Sequence, residues 1–596
     1  MPFRTDIQIL RGISVLFVLF FHLEITSFSS GFLGVDVFFV ISGYLMARMF
    51  DEGTPAQFYG RRIRRLVPAY AVTIVVTLIA ASFLTVPVDF AQATTQSLFA
   101  AGFISNLGFW LQSSYFSKAE FNPLLNLWSL GVEMQFYLLI PFLYAFLKPR
   151  KRGTILLLAL SFAACLAAAS ISAKTAFFHT PFRVWEFLIG AYIAWYLPQK
   201  KQVGGTVQSA CLILLVAALL TPLKPNTLIL GMDPGLANLT VCLLAGTILA
   251  FGMPHVFEKS LFGKTLNMLG RYSYSIYLVH FPIIVLFNYI PFGGTVLGTS
   301  SALAFVTLLA LIFLAAALLY HLVEQQNAFI FAGKRPLLLL MLAITIAIGF
   351  SLQNGARYSA QEKNLFAAWT DQGTYRCGKL FRLLHPMASI CEITKGKHLT
   401  GGRLLLVGNS HADAIKQSFT KAFSEQGVRV YFYVPNDPLV HERYNGDAVL
   451  ADIKRLNIDA VVIHFDLSAY NDHLVGQIER LAASLKAQGI PMRIISPVPH
   501  YPYHVPRTLF KTPGMTLGKE LQDYYPDTHA FWDHFPSKSV PRRDIIDTGP
   551  VFCQPACKVA DRTRRSYYID FNHLTLTGAA LLEPTFDRMA EEIFAK

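Results

Sequence analysis

GRLLLVGNSHAD, residues 402–413, decides how the second half of this chain folds. The apolar run 404–407 has the length of a buried strand. It breaks at Gly408, presents Ser410, and passes into a stretch with helical spacing, 411–425. A hydroxyl at a tight strand-to-helix turn stands where a nucleophile can be exposed. Far along the chain, YYIDFNHLTLTG, residues 567–578, sets Asp570 three residues before His573. A serine on such a turn, with an Asp and a His elsewhere, is the composition of a nucleophilic hydroxyl site.

Working outward, 430–434, 460–464 and 493–496 repeat the apolar strand pattern. Helical stretches near 447–456 and 473–488 separate them, and another closes the chain. Alternating strands and helices predict a mostly parallel sheet with helices on both faces, with Ser410 at the carboxyl edge where such folds place sites. Residues 353–401 read as an irregular extension before this α/β/α domain of 402–596. Cys377, Cys391, Cys553 and Cys557 all fall in this half. Four cysteines in an oxidising compartment predict two disulfides, paired by proximity as Cys377–Cys391 and Cys553–Cys557. A four-cysteine zinc site is the rival, and no metal is expected.

The first half is different in kind. The 596 residues are 53% hydrophobic and 15% charged, with mean hydropathy +0.43. That excludes an ordinary soluble or disordered chain. Apolar segments recur near 9–27, 33–50, 67–86, 95–111, 128–147, 154–172, 182–197, 207–222, 236–253, 272–290, 299–322 and 336–352. Most approach the ~20 residues that span a bilayer. Basic clusters lie at Arg61–Arg65, 148–152, Lys200 and Lys201, 259–271, and Lys334 and Arg335. They fall on one side with the N-terminus only if 95–111 does not span. That segment carries Ser105, Asn106 and Gln112 and is read as re-entrant or interfacial. Eleven spans remain, which puts the α/β domain outside the cytoplasm. The net charge of +14 reflects these loops; no nucleic-acid partner is expected.

Ionisable residues inside spans are costly and point to function. The first span holds Arg11 and His22, about 16 Å apart along a helix. Asp36, Glu133, Arg183, Glu186 and His280 are further intramembrane candidates. Arg61, Arg62, Arg64 and Arg65 crowd the start of the third span.

In order, RGISVLFVLFFH, GFLGVDVFFVISGYL, RRIRRLVPAY, WSLGVEMQFYL, FRVWEFLIG and LGRYSYSIYLVHFP resemble the acyltransferase-3 family over residues 3–330. The resemblance implies ten core spans in 1–330, a linking span 331–352, and a periplasmic SGNH domain. Glu324 is kept, in HLVEQQNAF, where the family commonly has Glu-x-Pro. GNSHAD and DFNH are similar to the SGNH hydrolase superfamily, which implies Ser410 as nucleophile, His573 as base and Asp570 as the residue orienting the imidazole. The Gly-x-Asn-Asp block of that superfamily is missing; its position reads HFDLS, residues 464–468.

The resemblance also implies function. Acetyl-CoA would be the donor, its phosphates met by Arg11 and the Arg61, Arg62, Arg64 and Arg65 cluster through charge-assisted forks. His22 would serve as base or acetyl relay. The acceptor would be a hydroxyl of a cell-envelope glycan, lipopolysaccharide O-antigen first and peptidoglycan second. A membrane-tethered SGNH carbohydrate esterase is the alternative. The expected location is the inner membrane, multi-pass in the lipid bilayer, with the C-terminal domain in the periplasm.

Overall fold

Two glycines set the register of two helices in the first unit. In the computed structural model, helix α1 (Thr5–His22) and the long helix Leu261–Phe287 meet backbone to backbone. A Cβ on Gly12 would lie 2.2 Å from the Leu266 carbonyl oxygen, and one on Gly270 would lie 1.8 Å from that of Gln8. Neither site admits a side chain. The two helices run parallel, and ten residues beyond each glycine stand His22 and His280.

The structure describes residues 4–594 except 52–53, 113–119, 198–203, 223–233, 300, 326–348, 350–356, 375–376, 379–380, 382–383, 386–387, 395–398, 434–444 and 513–520. It divides into two compact units, Met1–Asn354 and Gly355–Lys596.

The first unit is helical. After α1 come α2 (Gly34–Asp51), α3 (Pro55–Leu84), α4 (Pro87–Ala101), α5 (Ser105–Leu111), α6 (Trp128–Leu147), α7 (Val184–Tyr196) and α8 (Leu261–Phe287), with further apolar helices between and after them. Six helices among the described residues are long and apolar enough to cross a membrane, and two shorter ones are apolar. The count therefore stays below the eleven expected. The expected linking helix falls almost wholly outside the described residues; α7, at 13 residues, is short, and α8 is interrupted by polar residues such as Arg271, Ser273, Ser275 and His280. The segment 95–111 is not one rod. It is divided between α4 and α5 by a break in which Phe103 takes φ +53°, while Ser105 and Asn106 are buried.

The second unit holds a six-stranded sheet. The strands are β1 (Ile390–Glu392), β2 (Arg403–Gly408), β3 (Arg429–Tyr433), β4 (Ala460–His464), β5 (Met492–Ile495) and β6 (Ile545–Ile546), in the order β1-β3-β2-β4-β5-β6. All neighbours are parallel except β1 on β3. Alternate residues of β2 serve different cores. Leu404 and Leu406 pack with Phe419, Phe423 and Phe586 on one face. Leu405 and Val407 pack with Ile478, Leu481 and Leu485 on the other. Burial on both faces is why 404–407 reads as an unbroken apolar run. The two disulfides join Cys377 to Cys391 and Cys553 to Cys557.

Candidate active sites

In the second unit the site grows from the end of β2. Helix α9 (Ser410–Glu425) begins at Ser410, with Asn409 as its cap. A Cβ on Gly408 would lie 1.9 Å from the His464 carbonyl oxygen, so only glycine lets the turn close against β4. The Asn409 side-chain oxygen accepts from the His411 and Asp466 backbone N–H groups, at 3.1 and 3.2 Å. The exposed hydroxyl of Ser410 lies 2.8 Å from His573 Nε2. His573 Nδ1 in turn lies 2.8 Å from Asp570 Oδ2. Asp570 Oδ1 accepts from the backbone N–H of Asn572 and His573, at 2.9 and 2.8 Å. Ser410, His573 and Asp570, 163 and 160 residues apart in the chain, thus form one hydrogen-bonded line.

Electrostatics follow from the same contacts. Burial opposes ionisation of Asp570, but the His573 hydrogen bond and the two backbone donors outweigh it and hold the carboxyl at about 2. Burial likewise opposes protonation of His573; the hydrogen bond and charge of Asp570 overcome that and raise its pKa. This imidazole is built to take a proton from Ser410 and keep it while charge develops. The Ser410 backbone N–H, at a helix start, can donate to an oxyanion. The loop after β4 supplies Asp466, an acceptor, where the missing Asn block would have supplied an amide donor.

In the first unit, His280 Nε2 lies 3.2 Å from His22 Nδ1. The partners assign the protons. His280 Nδ1 faces the carbonyl oxygens of Tyr277 at 2.8 Å and Ile276 at 3.1 Å. Carbonyls only accept, so Nδ1 carries the hydrogen and Nε2 of the neutral ring is an acceptor. His22 Nδ1 therefore donates, and His22 Nε2 keeps a free lone pair. This pairing joins two residues that the sequence marked separately.

A cavity of about 270 Å3 lies among α1, α2, α3, α6 and α8, lined by Arg4, Arg11, Arg62, Arg65, Glu133 and Tyr277, among others. The Tyr277 ring is 5.5 Å from that of His280. Glu133 accepts from the hydroxyls of Ser42 and Tyr137. Residues 62 and 65 are one turn apart on α3 and share its inward face. Arg61 and Arg64 share another face and do not line the cavity, whereas Arg65 lines it although it too is exposed. The four-arginine cluster thus separates into two pairs with different surroundings.

Asp36, Arg183 and Glu186 are also displaced from the expected role. Arg183 Nη2 pairs with Asp36 Oδ1 at 2.8 Å and its Nε with Glu186 Oε1 at 3.0 Å. Asn238 donates to Asp36 Oδ1 at 3.0 Å. All four are buried and none lines the cavity. They answer one another's charge and hold α2 against α7. Mere presence of charge in an apolar run could not distinguish this pairing from a site.

The sequence reading missed Tyr277, Ser42 and Tyr137 in the first unit. In the second it missed His411, His500, Asp466 and Asn572, which crowd beside the Ser410 line. Their signal was the run His-Ala-Asp after Ser410 and the Asp in HFDLS, but only the fold brings His500 to them.

A family model described as an acyltransferase domain matches residues 4–321, and one described as an SGNH domain fused to such domains matches residues 376–588. The chain is 33% identical over 342 residues to BcsY of Komagataeibacter xylinus, provisionally named a membrane-bound transacylase, covering 54% of this chain and 83% of that one. It is 31% identical over 310 residues to the peptidoglycan O-acetyltransferase OatA of Listeria monocytogenes, covering 46% of this chain and 49% of that one. The periplasmic domain of a Salmonella Paratyphi A lipopolysaccharide acetyltransferase aligns at 14% identity and TM-score 0.28, covering 39% of this chain and 96% of that one.

Proposed function

We propose, because this chain belongs to the acyltransferase-3 family, that it moves acetyl from acetyl-CoA to a hydroxyl of a cell-envelope glycan. The family makes it an acyl-transferring, multi-pass membrane enzyme. The relative named for peptidoglycan O-acetylation supports an O-acetyl ester on an envelope glycan as product. Lipopolysaccharide O-antigen is the acceptor first expected from the sequence. Peptidoglycan is the second reading, and that relative's name favours it.

The observation that carries the proposal is the convergence of Arg11, Arg62 and Arg65 on a cavity whose wall residue Tyr277 packs against the His280–His22 pair. Three guanidinium groups in one partly buried cavity suit the phosphates of a CoA thioester. The cavity is smaller than the roughly 300–1,000 Å3 that takes a whole drug-sized ligand, so it would take one end of the donor. His22 Nε2, with its lone pair free, is the atom that would accept the acetyl group or a proton. In the second unit, Ser410 Oγ would give its proton to His573 Nε2 as it bonds to the acetyl carbon, and His573 would pass that proton to the group that delivered the acetyl as its bond to the acetyl carbon breaks. The glycan hydroxyl would then yield its proton to His573 and attack the Ser410 ester, and Ser410 would leave with that proton. The one-sided basic clusters and the two disulfides support a cytoplasmic-membrane location with the soluble unit in the periplasm.

The test incubates membranes carrying the full chain with acetyl-labelled acetyl-CoA and each glycan separately. The expected product is a base-labile ester on one glycan, lost in Arg11→Ala/Arg65→Ala. Release of free acetate with no labelled glycan would instead favour a tethered esterase.

A further inference from the structure

Beside the Ser410 line, three side chains from distant parts of the chain bring potential metal-ligand atoms together. His411 Nε2 lies 3.3 Å from Asp466 Oδ1, and His500 Nε2 lies 3.2 Å from the same oxygen. One ligand atom from each of the three residues falls within 4.8 Å of the others. His411 is 2% exposed, and its Nε2 has no hydrogen-bond partner. The His411 ring is centred 4.6 Å from that of His573.

The hydrogen bonds of this cluster do not close. Asn572 Nδ2 is 3.1 Å from Asp466 Oδ1 and in close contact with His500 Nε2. If His500 Nε2 carries a hydrogen, it suits Asp466 but opposes the amide N–H. If it carries a lone pair, it suits the amide but opposes the carboxylate. Turning the amide over sets its oxygen against Asp466 instead. The Asn572 oxygen as placed is buried without a partner. Every arrangement leaves two like groups in contact unless a cation stands among them.

We propose that His411 Nε2, His500 Nε2 and Asp466 Oδ1 bind one zinc-class divalent cation. Zn–N and Zn–O bonds of about 2.0–2.2 Å in a tetrahedron place ligand atoms roughly 3.3–3.5 Å apart. Two of the three ligand–ligand distances, 3.3 and 3.2 Å, are close to that edge, and the third, between the two imidazoles, is within 4.8 Å and would shorten as the metal binds. Two imidazoles and a carboxylate are the donor set that zinc takes when a fourth position stays open. Outer contacts are present as well: the Ser468 hydroxyl donates to Asp466 Oδ2, and Asn409 holds the Asp466 backbone N–H at 3.2 Å. Such contacts orient a ligand before the metal arrives. The proposal concerns the soluble unit's own residues and does not depend on which acceptor is acetylated.

The experiment uses the full-length protein in detergent, stripped with chelator and reloaded with zinc or cobalt(II) alone. Elemental analysis should find about one zinc per chain. The cobalt form should show the intense visible bands of a four-coordinate site. Zinc X-ray absorption on the loaded wild type should count two imidazoles, a readout that needs no variant. His500→Gln and Asp466→Asn should each weaken zinc binding more than about 100-fold, since loss of merely an outer partner already costs 10–100-fold. Ser410→Ala should bind zinc as the wild type does. A wild type that retains no zinc, a spectrum without two imidazoles, or ligand variants that bind normally would overturn the site.

Discussion

Each half of the chain sets a histidine at its candidate site, and the two are supported by opposite means. His573 has a carboxylate behind it, Asp570 at 2.8 Å. His22 has a neutral imidazole behind it, His280 at 3.2 Å, which itself leans on two carbonyls. A carboxylate stabilises an imidazolium, so His573 suits a step in which it stores a proton beside a charged intermediate. A neutral imidazole fixes a tautomer without supplying charge. His22 is thereby presented as an oriented, uncharged nucleophile or base in an apolar setting. The proposed transfer would divide one chemistry between a line ending on a carboxylate and a pair of neutral imidazoles among helices.

The comparison breaks most sharply at the two residues proposed to react. His22→Ala should abolish both release of CoA and glycan acetylation, while the protein stays in the membrane at normal amount. Ser410→Ala should cut glycan acetylation by about a millionfold, and leave CoA release or acyl loading in the membrane unit. Labelled acetyl-CoA, followed in both products, separates them. If Ser410→Ala acetylates glycan fully, the membrane unit completes the transfer alone.

The supporting residues should separate next. Asp570→Asn should lower glycan acetylation by up to about 10,000-fold, because the amide favours the wrong tautomer of His573. His280→Ala should cost less, on the order of 10–100-fold in kcat, since a lost neutral partner removes orientation and no charge. His280→Asn, which can still accept from His22 Nδ1, should recover part of that loss. Equal losses in Asp570→Asn and His280→Ala would erase the distinction between the two histidines.

What was legible beforehand follows the same division. Ser410, Asp570 and His573 were readable because each sits in a local motif: a strand broken by Gly408, and an Asp three residues before a His. The sheet was readable because both faces of β2 are buried. The short edge strands β1 and β6, of three and two residues, carry too little pattern to be seen. In the membrane half, a buried charge announces itself, but its partner does not. Asp36 and Arg183 are 147 residues apart, and only packing shows that they neutralise each other. His22 and His280 are 258 apart, joined through the register that Gly12 and Gly270 impose. The break at Phe103 was foreshadowed by Ser105 and Asn106, polar groups that a lipid-facing rod would not carry.

The smallest expected effect tests the arginines. Four of them within five residues look equivalent in sequence, and a helix makes them unequal. Positions 62 and 65 line the cavity with Arg11, whereas 61 and 64 do not. Arg65→Ala should raise the KM for acetyl-CoA by about 10-fold, the value of a charge-assisted contact of roughly 1.5 kcal/mol, with kcat little changed. Arg62, being buried, should show the same direction with some loss of folded protein, because Arg62→Ala leaves a gap beside Met49. Arg64→Ala should leave KM within about twofold, since its side chain lies on a face of the helix that does not line the cavity and its charge is screened by water. Initial rates against acetyl-CoA concentration decide the matter. If Arg64→Ala and Arg65→Ala shift KM equally, the donor is held by the field of the whole cluster, and the cavity is not its seat.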